Sequence, residues 1–212
     1  MSMKRIVIFG ASGKLGQNFC HYSLEKGYET VAVDKIHSNN DNLINEQNLI
    51  EKRGDVKDYL FLKSLLKNGD RIVYSVRNKK NKTWTNDTSS GILNIIKTSE
   101  QISISRLIYV GGAGILKAKN GALRGEQHIP TDIKLLYKEH LKSYNLLREG
   151  NLDWTIICPP RMGDMKKNKE IRWKINYLPK NSRPISYRAV AKFAVDIIES
   201  SKLSKKRIGI CF

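Results

Sequence analysis

A chain of 212 residues, 40% of them hydrophobic, has room for one sizeable α/β domain with at most a small appendage. It contains no apolar run of about 18 residues, which excludes a transmembrane helix. Its 38 Lys and Arg against 20 Asp and Glu, net +18, point to a lysine-rich soluble surface, an anionic small molecule or a nucleic acid, and no recognised nucleic-acid motif accompanies the charge.

Met1–Arg5 leads straight into an apolar strand with no cleavage-site pattern, so no signal peptide is expected. Lys4–Phe9 (KRIVIF) is short and β-branched and meets a glycine run directly, which predicts a buried parallel strand. A helix follows over 15–26, closed by Gly27, and a second strand over 30–33 ends on Asp34 and Lys35. Residues 36–46 are polar and Asn-rich, a loop. A third strand is expected over 49–53, a helix over 56–67, a fourth strand over 71–76 and a basic loop over 77–90. Then come a helix over 91–101, a fifth strand over 105–110, a helix over 131–148 and a sixth strand over 153–158, stopped by Pro159 and Pro160. Residues 161–184 are basic and irregular and read as a small cap over the site. A helix over 187–200, with Val190, Phe193, Ala194 and Ile197 on one face, and a strand over 207–211 close the chain. Strands alternating with helices predict one Rossmann-type, doubly wound, mostly parallel α/β domain over 1–212. The cysteines Cys20, Cys158 and Cys211 lack any C-x-x-C spacing, so they read as reduced core thiols of a cytoplasmic protein and no metal site is expected.

The run Gly10-Ala11-Ser12-Gly13-Lys14-Leu15-Gly16 lies between a strand and a helix, the setting in which such glycines hold a dinucleotide. The first glycine permits the tight turn, the second admits a pyrophosphate to the backbone, and the third lets helix pack on strand. The helix N-terminus then offers unpaired N–H groups and a positive dipole end to the phosphates. Asp34, about 20 residues further on, suits the ribose hydroxyls and repels a 2′-phosphate, whereas Lys35 attracts one. NAD is favoured and NADP stays open. Asp55 and Val56 would meet the adenine edge; Ser75, Val76 and Arg77 would line the pyrophosphate and the nicotinamide ribose.

The glycine loop, Gly54-Asp55-Val56, Gly111-Gly112-Ala113-Gly114, Leu152-Asp153-Trp154-Thr155-Ile156-Ile157 before Pro159-Pro160, and Ile185-Ser186 together resemble one family. It is that of the atypical short-chain dehydrogenases with an NAD(P)-binding, NmrA-like domain, and within it the small biliverdin IX beta/flavin reductase-like members. The resemblance covers nearly the whole chain. It implies NAD(P) at the carboxyl edge of the sheet and a substrate laid over the nicotinamide. It places cofactor contacts at Gly10, Ser12, Gly13, Lys14, Leu15, Asp34, Asp55, Val56 and Ser75, with Gly111 and Gly112 beside them. Two positions depart from many relatives: Cys158 replaces an arginine and Gly111 a serine.

No Tyr-x-x-x-Lys pair exists on the helix over 131–148. His140 falls near the place of the family lysine, and Tyr137 one turn earlier, so these two are the candidate catalytic residues. Basic residues gather after strands four, five and six. An anionic substrate is therefore expected, held by Arg161, Lys166 and Lys167, with Trp173 available to stack on a flat molecule. The leading reading is an NAD(P)H-dependent reductase of a flat anionic acceptor, acting as a monomer or homodimer. A non-catalytic dinucleotide sensor is the alternative, and an epimerase or dehydratase comes third.

Overall fold

β1 (Arg5–Phe9) is buried on both faces, and its side chains divide between two apolar layers: Val7 and Phe9 enter one, Ile6 and Ile8 the other. The computed structural model describes residues 3–35, 47–77, 79–80, 83–84, 87–127, 129–165 and 170–212. After β1 come α1 (Lys14–Glu25), β2 (Glu29–Asp34), β3 (Leu49–Arg53), α2 (Tyr59–Leu65) and β4 (Arg71–Tyr74). A two-residue hairpin pair, β5 (Lys79–Lys80) and β6 (Thr83–Trp84), precedes α3 (Asp87–Ser99) and β7 (Arg106–Val110). The chain continues through α4 (Arg124–Gln127), α5 (Lys134–Glu149), β8 (Trp154–Cys158), β9 (Met162–Gly163), β10 (Arg172–Ile175), β11 (Ile185–Ser186), α6 (Tyr187–Ile197) and β12 (Lys206–Cys211).

The main sheet has the order β10-β12-β8-β7-β4-β1-β2-β3. Every pairing in it is parallel except that of β10 with β12. α1 and α6 cover the Ile6 and Ile8 face through Leu15, Phe19, Val190 and Ala194. α2, α3 and α5 cover the other through Leu62, Ile92, Ile95 and Leu147. Each fully buried Leu, Ile or Val stabilises by about 1.5–3 kcal/mol, so these two layers hold the sheet. At its amino edge a polar pin joins neighbours: Arg106 Nη1 donates to both Asp153 oxygens at 2.8 Å, and Nη2 donates to Thr155 Oγ1 at 2.6 Å. Strand order reverses between β1 and β4, which opens a crevice at their carboxyl ends.

The alternation of elements follows the sequence reading, with shifted boundaries. α2 begins at Tyr59 rather than at 56, because Asp58 accepts a hydrogen bond from Phe61 N at 3.1 Å and so acts as the N-cap. α3 begins at Asp87, four residues before the expected start. Segment 161–184 is only partly the expected cap: β9 pairs with β11, and β10 extends the main sheet. The polar loop over 36–46 lies outside the described residues. All three cysteines are buried and unpaired, and burial pushes the Cys20 thiol up to about 12. No helix among the described residues is long and apolar enough to cross a membrane.

Candidate functional site

The turn from β1 into α1 shapes one wall of the crevice. Gly10 has φ +83°, a left-handed conformation that a side chain would strain, and a Cβ there would stand 3.2 Å from the Ser75 carbonyl. Gly16 faces the turn so closely that a Cβ would fall 2.0 Å from the Gly10 carbonyl oxygen. Gly13 differs. A Cβ on it would meet only the Gly10 oxygen, at an ordinary 3.6 Å, so the protein itself leaves space there. Gly13 is the N-cap of α1 and offers no side chain to cap it, and the first turn carries no acid. α2 and α6 are capped by Asp58 and Ser186. The uncapped start of α1, pointing into the crevice, fits a phosphate group.

The crevice encloses about 210 Å³ and is lined by Gly10, Ser12, Gly13, Val33, Asp34, Lys35, Gly54, Val56, Ser75, Val76, Arg77 and Asp87. Asp34 Oδ2 accepts from Ser12 N at 3.0 Å and from the Ser12 hydroxyl, and Oδ1 accepts from Lys35 N at 2.8 Å. Lys35 Nζ turns into the crevice between Asp55 at 3.1 Å and Asp87 at 2.8 Å. Burial opposes its charge, but the hydrogen bonds to Asp87 and Asp55 outweigh burial and raise its pKa. Lys57 Nζ reaches the other Asp87 oxygen at 3.1 Å.

Nine of the sixteen expected cofactor positions thus line one crevice: Gly10, Ser12, Gly13, Asp34, Lys35, Val56, Ser75, Val76 and Arg77. Asp55 joins them through Lys35. Ala11 and Leu15 are buried in the core and Gly16 packs helix on turn, so these three shape the loop from behind. The Lys14 side chain points away to an ion pair with Asp164. Gly111 and Gly112 follow β7, and the space a side chain would take is filled by Ile156 at Gly111 and by His140 at Gly112. Val33, Gly54, Lys57 and Asp87 were missed. Gly54 stood in the Gly-Asp-Val motif already singled out, and Asp87 was hidden by starting α3 at Gly91.

Family membership agrees with this geometry: residues 10–201 match the model of the NAD(P)H-binding family. The chain belongs to that family. Solved structures share its fold. A candidate epimerase from Bacteroides thetaiotaomicron superposes with TM-score 0.83 at 24% identity, over 100% of this chain and 98% of the other. A candidate NADH-flavin reductase from Streptococcus pneumoniae gives TM-score 0.79 at 22% identity, over 98% and 99%. A short-chain dehydrogenase/reductase from Veillonella parvula, solved in complex with NADP, gives 0.77 at 19%, over 100% and 95%.

At the β7 end, His140 is buried beneath the Gly112 backbone, where a Cβ would stand 3.1 Å from its ring. Burial, with the nearby Arg77 charge, pushes its pKa down to about 3, so the imidazole is neutral. Burial pushes the Tyr109 hydroxyl pKa up, so it keeps its proton. Tyr109 Oη and His140 Nδ1 share a hydrogen bond between two uncharged groups. Tyr137 packs where side chains on Gly114 and Gly125 would stand, and its buried hydroxyl has no hydrogen-bond partner among the described residues.

The expected substrate residues are scattered. Arg161 is exposed just past the end of β8. Lys166 and Lys167 lie outside the described residues. Trp173 sits on the outermost strand, β10, against Phe193 with ring centroids 6.1 Å apart. That strand is four positions from β4, roughly 19 Å at about 4.8 Å per step. Trp173 is thus not brought to the crevice, because β10 pairs antiparallel with β12 instead of folding over as a cap.

Proposed function

We propose that this chain is an NAD(P)H-dependent reductase, working with NADH, of a flat anionic acceptor of the flavin or linear-tetrapyrrole type. The observation that carries this reading is that both candidate proton donors are packed inward, His140 buried beneath the Gly112 backbone and the buried Tyr137 hydroxyl behind Gly114 and Gly125. His140 is a neutral imidazole held by Tyr109, and Tyr137 is packed against glycines. A simple ketone needs a proton delivered to the oxygen where charge develops. A conjugated acceptor spreads that charge and takes its proton from water. Bound NADH supplies the hydride, and the protein's task is to orient donor and acceptor. Asp34 would meet the ribose hydroxyls and the start of α1 the pyrophosphate. Arg77, which lines the crevice, and Arg161 supply fixed positive charge for an anionic acceptor. The likeness to the candidate NADH-flavin reductase of Streptococcus pneumoniae supports the acceptor class. The inward packing of His140 and Tyr137 equally favours a second reading, a dinucleotide sensor without turnover.

The test mixes the protein with NADH and, in turn, FMN, biliverdin, a quinone and simple ketones, and follows nicotinamide oxidation. Oxidation with flavin or tetrapyrrole and not with ketones is expected. Ketone turnover without flavin turnover would overturn the reductase reading, and NADH binding with no turnover on any acceptor would favour the sensor.

A further inference from the structure

We propose that Asp87, at the start of α3, is a positioning residue that sets the cofactor preference by holding Lys35 away from the 2′-position of the adenosine ribose. The proposal rests on the NADH reading above. Lys35 follows Asp34 at the end of β2, and from that place an ammonium free to swing would be the natural partner of a 2′-phosphate. It is not free. Its Nζ is turned inward to the Asp87 carboxylate at 2.8 Å and to Asp55 at 3.1 Å. Asp87 is only 2% exposed, and its second oxygen holds Lys57 at 3.1 Å. Asp55 and Asp87 thus engage the ammonium groups of Lys35 and Lys57, and Asp34 adds a third carboxylate where a dianionic 2′-phosphate would have to sit. Of the further cations, Arg53 lies opposite Asp34 in the β2–β3 register and donates from Nε to the Lys35 carbonyl at 3.1 Å, and Arg77 lines the crevice beside Ser75 and Val76. Asp87 touches no part of the ribose in this scheme and acts through Lys35.

The experiment measures NADH and NADPH affinities by calorimetry for the wild type, Asp87→Asn and Asp87→Asn/Lys35→Gln, so no acceptor is needed. Asp87→Asn keeps the shape, removes one charge and leaves Lys35 with Asp55 as its one charged partner of the two, so that it can swing out. The NADPH-to-NADH affinity ratio should rise about tenfold or more, and the double variant should return it to within about threefold of wild type. A purely structural role would weaken both nucleotides together and leave the ratio unmoved. An unmoved ratio, or a gain that persists without Lys35, overturns the proposal. If Asp87→Asn does not fold, the wild type decides: the Lys35 ammonium resonance, assigned by its loss in Lys35→Arg, should be slowly exchanging and unshifted by NADPH. A shift on NADPH binding would show Lys35 already serving the phosphate and overturn the clamp. Wild-type preference for NADPH would defeat the NADH reading alone, while a tenfold rise on Asp87→Asn would still sustain the clamp.

Discussion

His140 shows how one residue's surroundings decide what it can do. The residue stands in a plausible catalytic position along the chain, yet α5 carries it under the Gly112 backbone, where charging it is costly. Its folded pKa of about 3 lies below the ordinary 6.5, so between these values the unfolded chain binds a proton that the folded chain refuses. Stability is therefore fully present above pH 6.5 and is lost as pH falls toward 3, with a slope on the order of 1.4 kcal/mol per pH unit. Urea unfolding at pH 7 and pH 5 should show wild type losing about 2 kcal/mol more than His140→Asn, which keeps an acceptor for Tyr109. Equal losses in the two proteins would contradict burial as the cause. The low pKa also keeps His140 from titrating across the physiological range.

At the scale of elements, α1 separates glycines that serve the fold from the one that serves the ligand. Gly16→Ala drives a Cβ into the Gly10 carbonyl and should destabilise the protein by about 2 kcal/mol or more, seen as a lowered Tm. Gly13→Asp finds room and should fold normally while losing dinucleotide affinity by more than about tenfold, because its carboxylate meets the pyrophosphate. Normal NADH affinity in folded Gly13→Asp would remove α1 as the phosphate site. The helix was legible in advance because strand, glycines and helix are contiguous, and the crevice was legible because it is made of strand ends. β10 was not. RWKI is too short and too charged to read as a strand, and it becomes one only through β12, a partner some 35 residues away along the chain. The same lies behind Trp173, whose place depends on that pairing. Asp87 escaped notice for a different reason: its meaning comes from two lysines on other elements, Lys35 after β2 and Lys57 before α2, and no local pattern joins them.

Across the whole molecule, the two sheet faces are covered by helices, and the candidate site lies at the reversal between β1 and β4. What remains open is the pair of sheet edges. At one, β3 is exposed over Ile50-Glu51-Lys52-Arg53; at the other, β10 is exposed over Arg172-Trp173-Lys174. Each is an outermost strand among the described residues and exposes an apolar side chain, Ile50 at 39% and Trp173 at 48%, a setting in which a neighbouring chain can add on. Each also carries two cations. Copies approaching edge to edge bring like charges together, on molecules already at +18, and repulsion between them is expected. Salt at about 1 M shortens the range of that repulsion to roughly 3 Å. Concentrated protein should therefore scatter more light as sodium chloride rises, and Lys52→Ser/Lys174→Ser should begin to do so at lower salt. A variant that stays as clear as wild type at every salt concentration would show that these lysines do not guard the edges. On this expectation the surplus of lysine and arginine would serve a colloidal end: it would let a sheet with exposed outer strands stay dispersed at high concentration.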